Sequence, residues 1–313
     1  MMLRLGSRGS PLALTQSRLV AGLLARATGQ SEDAFPIQSF VTSGDRIADR
    51  RLQDAGGKGL FTKELDEALL DGRIDAAIHS LKDLPTRMPD GIVLAAIPSR
   101  EDPRDAFISN KARDLKSLPH GAAVGTASLR RQAQALHLRP DLKIVMLRGS
   151  VETRLRRLAD GSMDATFLAL AGLTRLGLQH HVTSLIDSEE MPPAPGQGAL
   201  AITCRADDAQ ALTLLARLSI AEFEIAVAAE RGFLEALDGS CRTPIGALAR
   251  LKAGSLHFAG EVLSPDGAHH WRQTKTLAAP TLSGAAELGR ACGAAIRAQA
   301  GETFIQNLEK RGW

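Results

Sequence analysis

With 313 residues and 44% hydrophobic content, the chain can bury more than one core, and its length predicts two or three domains. A net charge of +3 and 4% aromatic residues without tyrosine argue against nonspecific nucleic-acid binding, and no apolar run approaches the roughly 18 residues of a membrane span. Cys204, Cys241 and Cys292 lie far apart with no Cys-x-x-Cys spacing, which argues against a disulfide framework or a zinc site, so no metal is expected. The amino end, Met1-Met2-Leu3-Arg4-Leu5, lacks the apolar core of a signal peptide, and a cytoplasmic location is the expectation.

Leu3 to Gly6 predicts a strand running into Ser7-Arg8-Gly9-Ser10-Pro11, with Ser10 as N-cap and Pro11 at the first position of a helix over 11–28. A strand over 37–42, a mobile Gly56-Gly57-Lys58-Gly59 loop and a helix over 61–71 follow. The next strand, 75–79, ends abruptly in Ser80, Lys82 and Asp83 before Pro85, which cannot continue a ladder. In open α/β sheets ligands sit at the carboxyl ends of strands, so Asp83 is the first candidate acid or base, although in isolation the same residues make an ordinary solvated turn. Strand 92–97 and a charged, proline-containing crossover over 98–104 complete the first half.

The second half repeats this grammar: strand 122–125, the turn Thr126-Ala127-Ser128, helix 128–138, strand 143–147, helix 152–160 and strand 165–169. Leu69-Leu70-Asp71-Gly72-Arg73-Ile74-Asp75-Ala76 is echoed by Leu158-Ala159-Asp160-Gly161-Ser162-Met163-Asp164-Ala165. The same order twice predicts two α/β lobes of common design, with mainly parallel sheets and a cleft between them. Met191 to Gly198 reads as the return crossover into strand 199–203. After about residue 219, helix 223–237, strands near 245–251, 256–263 and 270–276, and helix 283–299 predict a small α+β domain. The expected boundaries are 1–99 with 199–218 for lobe one, 100–198 for lobe two and 219–313 for the C-terminal domain.

Both glycine-and-hydroxyl turns place backbone N–H groups at a helix start, which favours an anion, yet neither is a P-loop or a dinucleotide fingerprint. Arg130 and Arg131 fall in a first helical turn, where each cation opposes the macrodipole by roughly 0.3–1 kcal/mol, so something anionic should face them. Arg148 follows a strand at the same predicted edge, Arg154 sits in another first turn, and Arg175 adds a further fork; a multiply anionic small ligand suits this set. Cys241 lies in a Gly239-Ser240-Cys241-Arg242 loop that exposes sulfur beside an arginine, a candidate for covalent attachment, whereas Cys204 and Cys292 read as small buried hydrophobes.

Taken together, Arg8-Gly9-Ser10-Pro11-Leu12-Ala13, Gly56-Gly57-Lys58-Gly59-Leu60-Phe61, His79-Ser80-Leu81-Lys82-Asp83-Leu84-Pro85, Arg100-Glu101-Asp102-Pro103-Arg104-Asp105-Ala106, Gly125-Thr126-Ala127-Ser128-Leu129-Arg130-Arg131-Gln132, Pro195-Gly196-Gln197-Gly198-Ala199 and the Cys241 loop resemble the porphobilinogen deaminase (hydroxymethylbilane synthase) family. The resemblance spans nearly the whole chain. It implies three α/β-type domains, the first two similar to bilobal periplasmic solute-binding proteins, and a transferase that deaminates four porphobilinogen molecules and couples them head to tail. It also implies a dipyrromethane cofactor on Cys241 through a thioether, held by Ser10, Lys82, Asp83, Thr126, Ser128, Arg130, Arg131 and Arg148. Arg8, Lys58, Ser80, Arg148, Arg154, Arg175 and Gln197 would meet substrate, with Asp83 and Lys82 catalytic. A monomer that passes its product to a following enzyme is the family expectation.

Two stretches depart from the family pattern. Ser150-Val151-Glu152-Thr153-Arg154 has serine where asparagine is common and puts a carboxylate near the anion site, and Ala221-Glu222-Phe223 replaces a histidine-containing pattern before the third domain. Two other functions use the same features: a non-catalytic bilobal polycarboxylate-binding protein, and a thiol-dependent acyl transferase acting through Cys241. An Ehrlich-reactive protein adduct separates them from a deaminase.

Overall fold

The computed structural model describes residues 2–46, 59–239 and 243–310. The glycine loop through Lys58 and the Cys241 loop therefore lie outside the described residues. The chain divides into two compact units, Met1–Glu101 with Gly198–Glu224, and Asp102–Gln197 with Ile225–Trp313.

In the first unit, β1 (Leu5–Arg8) leads into α1 (Pro11–Thr28), whose predicted start is realised: Ser10 Oγ accepts from Ala13 N at 3.3 Å, Pro11 opens the helix, and Gly29 closes it with φ 70°. Val20, Ala21 and Leu24 place one face of α1 in the core, where a buried aliphatic side chain of the size of Val or Leu contributes roughly 1.5–3 kcal/mol. Then come β2 (Ile37–Phe40), the short α2 (Ser43–Arg46), α3 (Lys63–Leu70), β3 (Ala76–Ser80), a 3-10 turn over Leu81–Asp83 and β4 (Ile92–Ala96).

The second unit starts on β5 (Asp105–Ser109), which the sequence map lacked. It continues with β6 (Ala123–Gly125), α4 (Leu129–Leu138), β7 (Lys143–Val145), α5 (Val151–Ala159), β8 (Ala165–Ala169), α6 (Leu170–Arg175) and β9 (Ser184–Leu185). The chain returns to the first unit as β10 (Leu200–Arg205) and α7 (Ala209–Ala216), and α8 (Ala221–Ala236) leads back to the second. There β11 (Ile245–Lys252), β12 (Ser255–Leu263) and β13 (His270–Ala278) form an antiparallel meander with α9 (Leu282–Ala300) and α10 (Glu302–Lys310).

The two five-stranded sheets have the same plan, β2-β1-β3-β10-β4 and β7-β6-β8-β5-β9. In each, the first three strands pair in parallel and the last two antiparallel. The antiparallel insert is in each case the first strand after a crossover, β10 or β5. The repeat extends to side chains. Asp75 accepts from Arg4 N at 2.8 Å just before β1, and Asp164 accepts from Ala123 N at 2.7 Å in β6. A Cβ on Gly6 would meet Ile74 Cδ1 at 2.3 Å, and one on Gly125 would meet Met163 Sδ at 2.1 Å, so in both sheets a side chain packs directly over a strand glycine.

Segments 102–197 and 225–310 share buried polar ties. Glu230 of α8, fully buried, accepts from Gly196 N at 2.7 Å and Ala249 N at 2.8 Å, and nearer the surface His137 Nδ1 lies 2.9 Å from Gly267 O. An unpaired carboxylate at this depth would be costly; two backbone donors satisfy it.

Candidate active site

β3 delivers its last residues to the carboxyl edge of the first sheet, and β10 fixes that edge because Leu200 pairs opposite Ser80. The 3-10 turn then lifts Lys82 and Asp83, both half-buried, out of the ladder. Arg8, the last residue of β1, reaches the same place: its Nη1 lies 3.8 Å from Asp83 Oδ2. The rest of the guanidinium is engaged elsewhere. Nε donates to Asp45 Oδ2 at 3.3 Å, Nη2 completes a bidentate pair with the same carboxylate, and Cζ sits 4.2 Å over the Phe61 ring. Burial raises the Asp45 carboxyl, but hydrogen bonds from Arg8 and Thr42 outweigh it and hold it below the ordinary range.

A recess of about 260 Å³, counted with its open mouth, is lined by Arg8, Gln16, Phe61, His79, Ser80 and Asp83 among others. Gln16 Nε2 donates to Ser80 Oγ at 3.0 Å. His79 is buried with Nε2 3.2 Å from Thr203 Oγ1; burial, then the positive Arg8, pushes its pKa down to about 3, so it is neutral across the working range. Asp83 is left as the carboxylate of this recess that meets water, its side chain 30% exposed.

In the second unit the corresponding edge is built by the antiparallel insert. Asp105 opens β5 opposite Ala169, the end of β8, and so stands where α4 begins. Ser128 caps α4, Thr126 Oγ1 accepts from Ser128 N at 3.1 Å, and the arginines of the first turn fold back onto Asp105. Arg130 Nη2 donates to Asp105 Oδ2 at 2.8 Å and Arg131 Nη2 to Oδ1 at 2.7 Å, with Asp105 fully buried. Burial alone would raise the Asp105 carboxyl; the two guanidinium charges override it and hold it far below the usual range, while burial lowers Arg130. Asp105 is thus the anion that two cations at a helix N-terminus demanded.

Gln197 is also buried here, with Nε2 donating to Pro103 O at 2.7 Å and Asp105 Oδ1 at 2.8 Å. Arg148, Arg154 and Arg175 are half-buried, and Arg154 Nε donates to Gly149 O at 2.9 Å. Glu152, the departure noted above, is exposed in the first turn of α5, where a carboxylate suits the helix dipole. Cys204 and Cys292 are buried, and burial pushes the Cys204 thiol up to about 11, so neither is a reactive thiolate. Sequence reasoning did not single out Asp105, Asp45 or Gln16. Arg104-Asp105-Ala106 carried a signal only for a reader who had placed a strand there.

Residues 3–213 match the family model described as porphobilinogen deaminase, dipyromethane cofactor binding domain, and residues 224–298 match porphobilinogen deaminase, C-terminal domain. The chain belongs to the porphobilinogen deaminase family. A porphobilinogen deaminase of Caulobacter vibrioides is 54% identical over 317 residues, covering 97% of each chain, and one of Phenylobacterium zucineum is 52% identical over 316 residues, covering 97% of this chain and 98% of its own. Among solved structures, a nutrient binding protein from Burkholderia cenocepacia bound to methionine aligns with 71% of this chain and 94% of its own, at 18% identity and a TM-score of 0.45. The activity is that of the family, a transferase reaction that makes hydroxymethylbilane from porphobilinogen on a dipyrromethane cofactor.

The second unit fits such a cofactor chemically. Two buried guanidinium groups share the Asp105 carboxylate at a helix N-terminus, and the Nε of each is buried with no hydrogen-bond partner among the described residues. Acetate and propionate arms bring the negative charge and acceptor oxygens that this arrangement lacks. Among the described residues no helix is long and apolar enough to cross a membrane.

Proposed function

We propose that the two units divide the reaction, the first handling protons at Asp83 and the second holding carboxylates. Four porphobilinogen molecules lose ammonia and join head to tail, and water releases the linear tetrapyrrole. When attached through a thioether to Cys241, the dipyrromethane would supply the pyrrole carbon to which the first porphobilinogen is joined. Asp83 stabilises positive charge at a pyrrole nitrogen and carries a proton on its carboxylate oxygen as the amine departs and as the ring is deprotonated.

The observation that carries this reading is the contrast inside the recess. His79 is sealed and neutral, while Asp83 meets solvent with Arg8 Nη1 3.8 Å away. Lys82 and Arg8 pair with substrate carboxylates, Ser10 and Ser80 orient them, and Lys58 adds a cation. Arg130, Arg131, Arg148, Arg154 and Arg175, with the hydroxyls of Thr126 and Ser128, take the arms of the growing chain. Gln197 acts through Asp105, to which it is hydrogen-bonded. The protein works as a cytoplasmic monomer and passes its product to the enzyme that follows, in keeping with the family.

Denaturing intact-protein mass spectrometry with porphobilinogen tests the covalent part. The wild type carries the mass of two linked pyrroles above its sequence, and Cys241→Ser carries none. A wild-type chain that stays at its sequence mass after incubation with porphobilinogen contradicts the proposal.

A further inference from the structure

α4 is tied to the C-terminal sheet by one buried side chain, Gln134, which is 2% exposed. Its Nε2 donates to Pro192 O at 2.8 Å and to Glu261 Oε1 at 2.7 Å, so both amide protons are committed. That fixes the amide's orientation and leaves Oε1 to face Arg130, whose Nη1 donates to it at 2.8 Å. A flipped amide would set N–H against N–H. Glu261 of β12, 1% exposed, is itself held by His270 Nε2 at 2.9 Å, with Arg272 Nη1 at 3.8 Å. The guanidinium of Arg130 is therefore held by Asp105 on β5, by Pro192 O, to which Nη1 donates at 3.1 Å, and by a Gln134–Glu261 pair separated by 127 residues of chain.

We infer that Gln134 and Glu261 are positioning residues for Arg130, so that the C-terminal sheet sets the geometry of carboxylate binding in the second unit. This rests on the reading of Arg130 as a carboxylate ligand. The contacts beyond Asp105 are what that role requires: a single carboxylate shared by two arginines fixes one end of each fork, and a buried fork needs a second acceptor to hold its plane. Pro192 O is one such acceptor, and β12 sets the closer one, Gln134 Oε1, through an amide that cannot turn.

The test uses holoenzyme variants, with KM and kcat for porphobilinogen, the fraction of purified chains carrying the two-pyrrole mass, and the thermal midpoint. Gln134→Leu removes the closer of the two acceptors of Arg130 Nη1, and KM rises about tenfold or more with a smaller change in kcat, while the loaded fraction falls. Gln134→Glu sets two carboxylates in contact and does the same. Adding Glu261→Gln to it restores one amide–carboxylate pair in the reverse sense and brings KM back to within about twofold. A variant that loses thermal stability but keeps KM and loading, or a double variant no better than Gln134→Glu, overturns the inference. Arg130→Lys separates the two claims. If it raises KM and the Gln134 variants do not, only the positioning role falls; if neither moves KM or loading, the carboxylate role of Arg130 falls with it.

Discussion

The two units place their charges at equivalent sheet edges but keep them in opposite conditions. In the first, Arg8 and Asp83 are 22% and 30% exposed and 3.8 Å apart; in the second, Arg130, Arg131 and Asp105 are 5%, 7% and 0% exposed and bonded at 2.7–2.8 Å. A carboxylate in contact with water can gain and lose a proton during turnover. A carboxylate sealed between two guanidinium groups cannot, and it supplies a fixed charge pattern instead. On the proposed division of labour, one strand plan supports both proton transfer and static recognition, depending on how far its edge is buried.

The largest expected effect is on stability. Asp105→Ala leaves two buried guanidinium groups facing each other, and the unfolding free energy from urea titration drops by about 3–5 kcal/mol. Asp45→Ala, which removes the part-exposed partner of Arg8, costs less than about 1 kcal/mol. Equal losses would break the distinction between the two edges.

A smaller effect concerns pH within the first unit. His79 has its folded pKa lowered to about 3, so the unfolded chain binds the proton first and stability is lost as pH falls below 6.5, by about 1.4 kcal/mol per unit. Asp66 has its pKa raised to about 6, chiefly by burial, so the folded chain binds the proton first and stability is lost as pH rises from 3.8 through 6. The two slopes oppose each other between pH 4 and 6. His79→Gln should be less stable at pH 6 than at pH 4, relative to wild type, and Asp66→Asn the reverse. Urea midpoints at pH 4, 5 and 6 decide, and identical slopes in all three proteins would refute the assignment.

The features visible in the sequence were local ones. Ser10 and Ser128 announced their helices by capping chemistry, and the repeated Asp-Gly and Asp-Ala steps announced two sheets of one design. β5 was missed because Asp105-Ala106-Phe107-Ile108-Ser109 is a strand only by virtue of pairing with β8, some 60 residues later in the chain as counted from the register Asp105↔Ala169. Without that strand Asp105 is invisible too, and the arginines show no counter-charge in the sequence although part of it is internal. Gln134 and Glu261 gave no signal at all, since only tertiary packing brings them together. Cys241 and Lys58 were named from their loops, and those loops lie outside the described residues.

The most direct test of the division of labour is intact-protein mass spectrometry of Asp83→Asn beside wild type during brief exposure to porphobilinogen. The variant should carry the two-pyrrole mass of a loaded enzyme and add further pyrroles on the order of 10²–10⁴ times more slowly, while wild type shows a ladder of increments. A ladder that grows at the wild-type rate in Asp83→Asn would contradict the assignment of proton transfer to the first unit.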